Sequence, residues 1–288
     1  MKDFDRAIEL DDTYTWAIRS RGSAYEAVRQ YEDALKDFDR VIELDNKNTW
    51  AITSRGNIYK SLKRYEEALK DFDRAIELDD KYVWAIVTRG KAYQSLRRYE
   101  EALKDFDRVI ELEQNNVSAH SERGLVYYQL SRYIDSIKSF EKAKSFNSEN
   151  LYYSICLSYL HLLLDDVKSS EDILQIIMNN EADSRAILNY GLLMSRKGEI
   201  EKARIAWEMG LRKLEIDSDW DKAVSYVFTI SLGEIEQGLA GMRLLIEECS
   251  DATVFRNALN EATILSRSPQ PIPGIQDLIL LLESKLSQ

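Results

Sequence analysis

Hydrophobic residues recur at helical intervals along the first half of the chain. Two stripes within residues 15–48 both follow the i, i+3, i+4, i+7 spacing of an amphipathic helix. The first contains Ala17, Ile18, Gly22, Ala24, Tyr25 and Val28, and the second contains Tyr31, Ala34, Leu35, Phe38, Val41 and Ile42. A polar break at Arg29-Gln30 separates the stripes, and turn-prone residues 45–48 follow the second. The pattern predicts a helical hairpin, helix A followed by helix B.

The hairpin pattern repeats with a period of 34 residues. The positions that share this register are Phe4, Phe38, Phe72, Phe106 and Phe140, then Gly22, Gly56, Gly90 and Gly124, then Tyr25, Tyr59, Tyr93 and Tyr127, and finally Ala34, Ala68, Ala102 and Ser136. A fixed period of this length is the signature of a repeat architecture. Since one hairpin cannot bury both of its stripes, we expect the units to stack into a solenoid.

The repeated residues resemble the signature of the tetratricopeptide repeat family. The matching positions are Gly22, Tyr25, Ala34, Phe38 and Val41, then Gly56, Tyr59, Ala68, Phe72 and Ala75, then Gly90, Tyr93, Ala102, Phe106 and Val109. The resemblance implies an all-α, right-handed superhelical solenoid of antiparallel helix-turn-helix repeats, with the A helices lining a concave groove. The chain departs from the family at two positions of the repeat. Ile18, Ile52 and Ile86 replace the early tryptophan, and Asp12, Asn46, Asp80 and Gln114 replace the closing proline. We therefore expect Asx turns between repeats.

The register divides the chain into four segments. Residues 1–14 form a half repeat with helix B only, and residues 15–150 form four well-matched units (15–48, 49–82, 83–116, 117–150). Residues 151–252 form three degenerate units, and residues 253–288 form capping helices around a proline-rich loop. Because no helix A precedes the half repeat, we expect either a piece of a longer array or a half repeat covered by another molecule.

Composition narrows the functional class. All three prolines of the 288 residues lie between positions 269 and 273, which favours long helical stretches elsewhere. The net charge of −11 disfavours nucleic acid and anionic membranes as partners. No apolar run is long enough to span a bilayer, and two isolated cysteines, Cys156 and Cys249, favour a reducing cytoplasm. The close similarity of the first four units resembles arrays in bacterial multi-domain proteins.

Catalytic motifs are missing from the sequence. His120 and His161 are the only histidines, and no HExxH, CxxC, GxSxG or phosphate-loop motif occurs. We therefore predict no enzymatic activity, no cofactor and no metal site.

Charged residues also follow the 34-residue register. Arg21, Arg55 and Arg89 recur on helix A, while Asp37, Asp71 and Asp105 open an Asp-Phe-Asp triplet on helix B. We predict that each arginine pairs with the first aspartate of its own unit through charge-assisted hydrogen bonds. The alternative is that these arginines bind a ligand.

Tryptophans occupy the second position of helix A in three consecutive units. In the resembled family, this position and those following it on the same face commonly contact ligands. Here these rows consist of Trp16, Arg19, Ser23 and Glu26, then Trp50, Thr53, Asn57 and Lys60, then Trp84, Val87, Lys91 and Gln94. An aromatic ladder edged by polar residues suits an extended peptide or a partner helix. The alternative is that the tryptophans only pack across the junctions between units.

The family's two-carboxylate clamp for chaperone tails is incomplete in this chain. Arg19 is followed by Ser23 rather than asparagine, and Asn57 has Thr53 in place of a basic partner. We therefore predict a non-catalytic scaffold that binds a protein or peptide of unknown identity in the concave groove. Two alternatives stay open: a sensor or regulatory module of a larger signalling protein, and an array that self-associates through its uncovered half repeat.

Overall fold

The computed structural model describes residues 1–179 and 182–287. Helices and turns make up these residues, and none of them lies in a β-strand. The chain divides into two compact units, Met1–Ser131 (unit 1) and Arg132–Gln288 (unit 2). This boundary falls inside the fourth predicted repeat, 117–150. The predicted all-α class is confirmed.

Unit 1 consists of alternating A and B helices that pack in chain order. Each helix A packs against the helix B that follows it, and each helix B packs against the next helix A. The helices are α1 (Lys2–Leu10), α2 (Thr15–Ala27), α3 (Tyr31–Leu44), α4 (Thr49–Ser61), α5 (Tyr65–Leu78), α6 (Val83–Ser95), α7 (Tyr99–Leu112) and α8 (Val117–Gln129).

Glycine allows the two helices of a hairpin to approach closely. A Cβ atom placed on Gly56 of α4 would lie 2.6 Å from Cε1 of Phe72 on α5, well inside contact distance. Phe72 is fully buried in this contact. The small residue on helix A therefore makes room for the aromatic ring on helix B, and the 34-residue register carries both positions together.

The turn inside each hairpin contains one residue in the left-handed region. In the better-matched repeats this residue is not glycine, although left-handed backbone favours glycine. Residues with positive φ are Arg29, Lys63, Arg97, Ser131 and Asp165, and in later turns Gly198 and Gly233. The amide of the next residue closes the helix, as in the 2.8 Å bond from Arg64 N to Tyr59 O. The sequence pattern located this break but did not reveal its conformation.

Asx turns connect successive repeats, one residue earlier than predicted. Carboxylate oxygens of Asp11, Asp45 and Asp79 accept hydrogen bonds from the backbone amides two residues later, at 2.9–3.1 Å. Assigning these turns to Asp12, Asn46, Asp80 and Gln114 was therefore wrong. The residue that ends helix B, and not the one in the proline slot, faces the free amide of the turn.

Unit 2 contains four further hairpins after an initial helix B. Its helices are α9 (Tyr133–Phe146), α10 (Leu151–Leu163), α11 (Val167–Met178), α12 (Ser184–Arg196), α13 (Ile200–Lys213), α14 (Asp219–Ser231), α15 (Ile235–Glu248), α16 (Ala252–Ser266) and α17 (Ile275–Leu286). The packing is regular up to α15. Helix α16 departs from it, because it packs against the three preceding A helices α10, α12 and α14.

Candidate functional site

Each repeated arginine of unit 1 holds the first aspartate of its own repeat with two hydrogen bonds. Nε and Nη2 of Arg55 donate to Asp71 at 2.8 and 2.5 Å. The same pair of bonds joins Arg21 to Asp37 and Arg89 to Asp105. The predicted pairing is confirmed in these three repeats.

The third donor of each arginine reaches the preceding repeat, which the sequence analysis missed. Nη1 of Arg55 donates to Asp39 at 2.7 Å, and the equivalent bonds join Arg21 to Asp5 and Arg89 to Asp73. The second aspartate of the Asp-Phe-Asp triplet was the available signal. Hydrogen bonding to Asp71 and Asp39 raises the pKa of Arg55 above its ordinary value. Because these guanidinium groups are occupied, the alternative that they bind a ligand loses its support.

The three tryptophans lie at the junctions between repeats and retain different degrees of exposure. Trp16 is 52% exposed, whereas Trp50 and Trp84 are half-buried. The ring centroids of Trp50 and Trp84 are 6.0 Å apart, and Phe38 meets Trp50 edge-on at 5.7 Å. The indoles therefore pack across junctions, as the alternative interpretation predicted, and the half-buried rings also keep part of their surface in solvent.

Arg19 extends the aromatic pair. Its guanidinium carbon lies 4.8 Å from the centroid of the Trp50 ring, within the range of a cation–π contact. The charge of one repeat thus lies over the indole of the next, and both side chains are half-buried.

Two of the predicted site residues do not lie on an open surface. Thr53 is 0% exposed and Val87 is 9% exposed. Their prediction as ligand contacts was wrong, because the fifth position of helix A is covered by neighbouring helices in these two repeats. Only in the first repeat does this position, occupied by Arg19, retain exposure.

The remaining predicted residues form a half-buried polar strip along the A helices. This strip contains Ser23, Asn57, Lys60, Lys91 and Gln94. Nζ of Lys91 lies 2.9 Å from Oε1 of Glu122, a partner on α8 that the sequence analysis missed. Glu122 lies 31 residues further on, and only the stacking of α6 against α8 brings the two together.

Lys60 is the least neutralised charge of this strip. Burial and the neighbouring Lys91 lower the pKa of Lys60, while Glu122 and Glu26 act on it in the opposite direction. Burial also raises the pKa of Glu26. An incoming anionic group would therefore relieve an unfavourable charge at Lys60.

The groups that could carry out chemistry have local structural surroundings. Nε2 of His120 lies 2.9 Å from the carbonyl oxygen of Gln114, and Nδ1 of His161 lies 3.1 Å from Asp166. Burial raises the pKa of Cys156 to about 11, so its thiol is protonated at neutral pH. Within residues 1–179 and 182–287, no group of three His, Cys, Asp or Glu side chains could hold a metal ion. None of the described helices has the length and apolar character needed to cross a membrane.

Solved structures of similar fold come from several bacteria. A tetratricopeptide repeat protein from Parabacteroides merdae is 17% identical, with a TM-score of 0.65, covering 93% of this chain and 98% of its own. PilF of Pseudomonas aeruginosa is 16% identical, with a TM-score of 0.62, covering 72% and 94%. MamA of Desulfovibrio magneticus is 19% identical, with a TM-score of 0.53, covering 57% and 93%. At these identities the likeness shows the fold alone.

Family models match unit 1 repeat by repeat. Tetratricopeptide repeat models match residues 20–48 and 50–82, and a TPR repeat model matches residues 90–131. No curated protein matches the chain in sequence. The repeat matches, together with the stacked helix pairs and the similar solved folds, identify the chain as a member of the tetratricopeptide repeat family.

Proposed function

We propose that this protein is a non-catalytic interaction scaffold whose A helices in unit 1 bind an extended peptide or a partner helix. Tetratricopeptide repeats form protein-interaction scaffolds in general. The observation that carries the proposal for this chain is the aromatic strip formed by Trp16, Trp50 and Trp84, edged by Lys60 and Lys91. We place this activity in the cytoplasm.

The aromatic strip supplies binding energy at low entropic cost. Trp50 and Trp84 are held by each other and by Phe38, so their rings are already ordered before a ligand arrives. A preformed surface loses little conformational entropy on docking, and large flat rings bury much area with few rotatable bonds.

The lysines define the charge of the ligand. Lys60 is half-buried, its pKa is lowered, and Lys91 lies close enough to repel it. A carboxylate on the ligand would compensate both cations. We therefore expect a peptide that carries an acidic residue next to an apolar or aromatic one.

A selection from a displayed random-peptide library tests this function on the full chain. Wild type and Trp220→Ala, a control in unit 2, should enrich the same peptides. The triple variant Trp16→Ala/Trp50→Ala/Trp84→Ala should lose them, and Lys60→Ala should enrich peptides without the acidic residue. Circular dichroism must show that every variant remains helical.

Two outcomes would contradict the proposal. If the folded triple variant enriches the same peptides as wild type, binding lies elsewhere on the molecule. If Lys60→Ala enriches peptides of unchanged charge, the aromatic strip acts without the lysines.

A further inference from the structure

The inner face of unit 2 is filled by a helix of the same chain. In unit 1 each helix A packs against the next helix A only, as α4 does against α6 and α6 against α8. In unit 2, α16 contacts α14 and also reaches α12 and α10, two and three repeats back. It therefore lies across the surface that the A helices leave open in unit 1.

The composition of the covered helices matches this arrangement. Helix α10 contains no charged Asp, Glu, Lys or Arg residue, and α12 carries charge only close to its two ends. Helices α4 and α6 of unit 1 have arginine and lysine in their middle turns. A helix that is apolar on all sides is buried on all sides, and here α16 provides the additional cover.

Three side chains after α16 fasten it to the ends of the inner helices. Nη1 of Arg267 donates to the carbonyl oxygen of Leu163 at the end of α10, at 2.9 Å. Ser268 Oγ donates to Ser195 O in the last turn of α12 at 2.9 Å, and Gln270 Nε2 donates to Gly198 O at 3.2 Å. The guanidinium of Arg267 also meets the negative end of the α10 dipole.

Helix α16 also carries a group that weakens its own seat. Glu261 is 6% exposed, and its Oε2 atom has no hydrogen-bond partner among the described residues. A buried unpartnered carboxyl is unfavourable, so α16 is held by its apolar side chains and its terminal hydrogen bonds against this cost.

We propose that the inner face of α10, α12 and α14 is a helix-binding groove whose displaceable occupant is α16, so that a partner helix of the same apolar pattern can take its place. The site is distinct from the aromatic strip of unit 1. It stands on the position of α16, on the apolar character of the helices beneath it, and on the few polar bonds that fasten its end.

The experiment supplies the occupant in trans. A fluorescein-labelled peptide of residues 252–267 is titrated with the full chain by fluorescence anisotropy, beside a scrambled peptide of equal composition. The apparent affinity depends on the fraction of molecules with an open groove. Removing two fastening bonds in Arg267→Ala/Gln270→Ala should raise that fraction and tighten peptide binding by about tenfold or more. Arg243→Ala on the exposed face of α15 is the matched control and should behave as wild type.

Glu261→Gln tests the same proposal in the opposite direction. Because an uncharged amide is easier to bury, this variant should hold α16 more firmly and bind the peptide more weakly than wild type. Hydrogen exchange on the same samples should show α16 exchanging about tenfold faster than α12 in wild type, and faster still in Arg267→Ala/Gln270→Ala. If that double variant loses its helical circular dichroism, Ser268→Ala replaces it.

Clear results would overturn the proposal. Equal exchange of α16 and α12 in all variants would show that α16 is a permanent part of the core. The same conclusion follows if the peptide binds all variants equally, or binds no better than its scrambled form.

Discussion

At the scale of single residues, one arginine joins three helices in each repeat of unit 1. Arg55 on α4 holds Asp71 on α5 with two bonds and Asp39 on α3 with a third. Asp71 is buried, so its charge is compensated by this one cation and not by water. The arginine therefore stabilises both the hairpin and its contact with the previous repeat.

Replacing this arginine should destabilise the protein strongly. We expect Arg55→Ala to lower the free energy of unfolding by about 3–5 kcal/mol, because it leaves the buried Asp71 uncompensated. Arg55→Lys should recover only part of this loss, since lysine cannot form the two parallel bonds. Urea unfolding measures both, with Lys70→Ala on the exposed face of α5 as the control. An unchanged unfolding midpoint in Arg55→Ala would contradict the structural role.

Strain in the hairpin turn should be removable. Lys63 has a φ of 59° and an exposed side chain, so glycine can replace it without loss of packing. We expect Lys63→Gly to raise the free energy of unfolding by about 0.5–1 kcal/mol, because left-handed backbone is unfavourable for residues with a Cβ atom. Thermal melts of Lys63→Gly and Lys63→Ala make the comparison. An equal gain in both variants would mean that the lysine side chain, and not the backbone, is the source of strain.

The scale of secondary-structure elements shows how far the pattern of residues could predict the molecule. The 34-residue register predicted the hairpins and the pairing of Arg55 with Asp71, since both depend on contacts within one repeat. It did not predict Glu122 beside Lys91, the burial of Thr53, or the return of α16 to α10. These depend on how successive helices are rotated against each other, which a repeat pattern does not encode. The uncharged sequence of α10 was the one available sign that its outer face is covered.

Helix α16 should make stability depend on pH. Burial raises the pKa of Glu261 to about 8, above its ordinary value of 4.5. The folded state therefore retains a proton that the unfolded state has already released between these values. Stability is greatest below pH 4.5, decreases as the pH rises towards 8, and is constant above it as far as this group is concerned.

Glu261→Gln should remove this dependence. We expect the variant to match wild type near pH 4 and to exceed it by roughly 3 kcal/mol or more at pH 8. Chemical unfolding at several pH values measures the difference, with Glu283→Gln on the exposed side of α17 as the control. If the two proteins keep the same stability difference at pH 4 and pH 8, the carboxyl of Glu261 does not titrate in this range.

At the scale of the whole molecule, contacts run mainly between neighbouring repeats, so damage should remain local. A Cβ atom at Gly56 would lie 2.6 Å from the Phe72 ring, and Gly56→Ala must therefore push α4 and α5 apart. We expect faster hydrogen exchange in α4, α5 and their direct neighbours, and unchanged exchange in α12–α15 of unit 2. Mass spectrometry of proteolytic fragments resolves the two regions. A uniform increase along the chain would show instead that both units unfold as one.

The sharing of each arginine between two repeats has a consequence for how such a chain can change in length. Arg89 needs one carboxylate from the repeat before it, and Asp73 and Asp39 occupy the same position of successive repeats. If residues 49–82 were excised, Asp39 would take the place of Asp73 and every donor of Arg89 would again find its acceptor. A cut that is not a multiple of 34 residues would leave a buried charge without its partner. The interface thus tolerates gain or loss of complete repeats and rejects partial ones, so copy number can vary in evolution or by design without any new contact being invented.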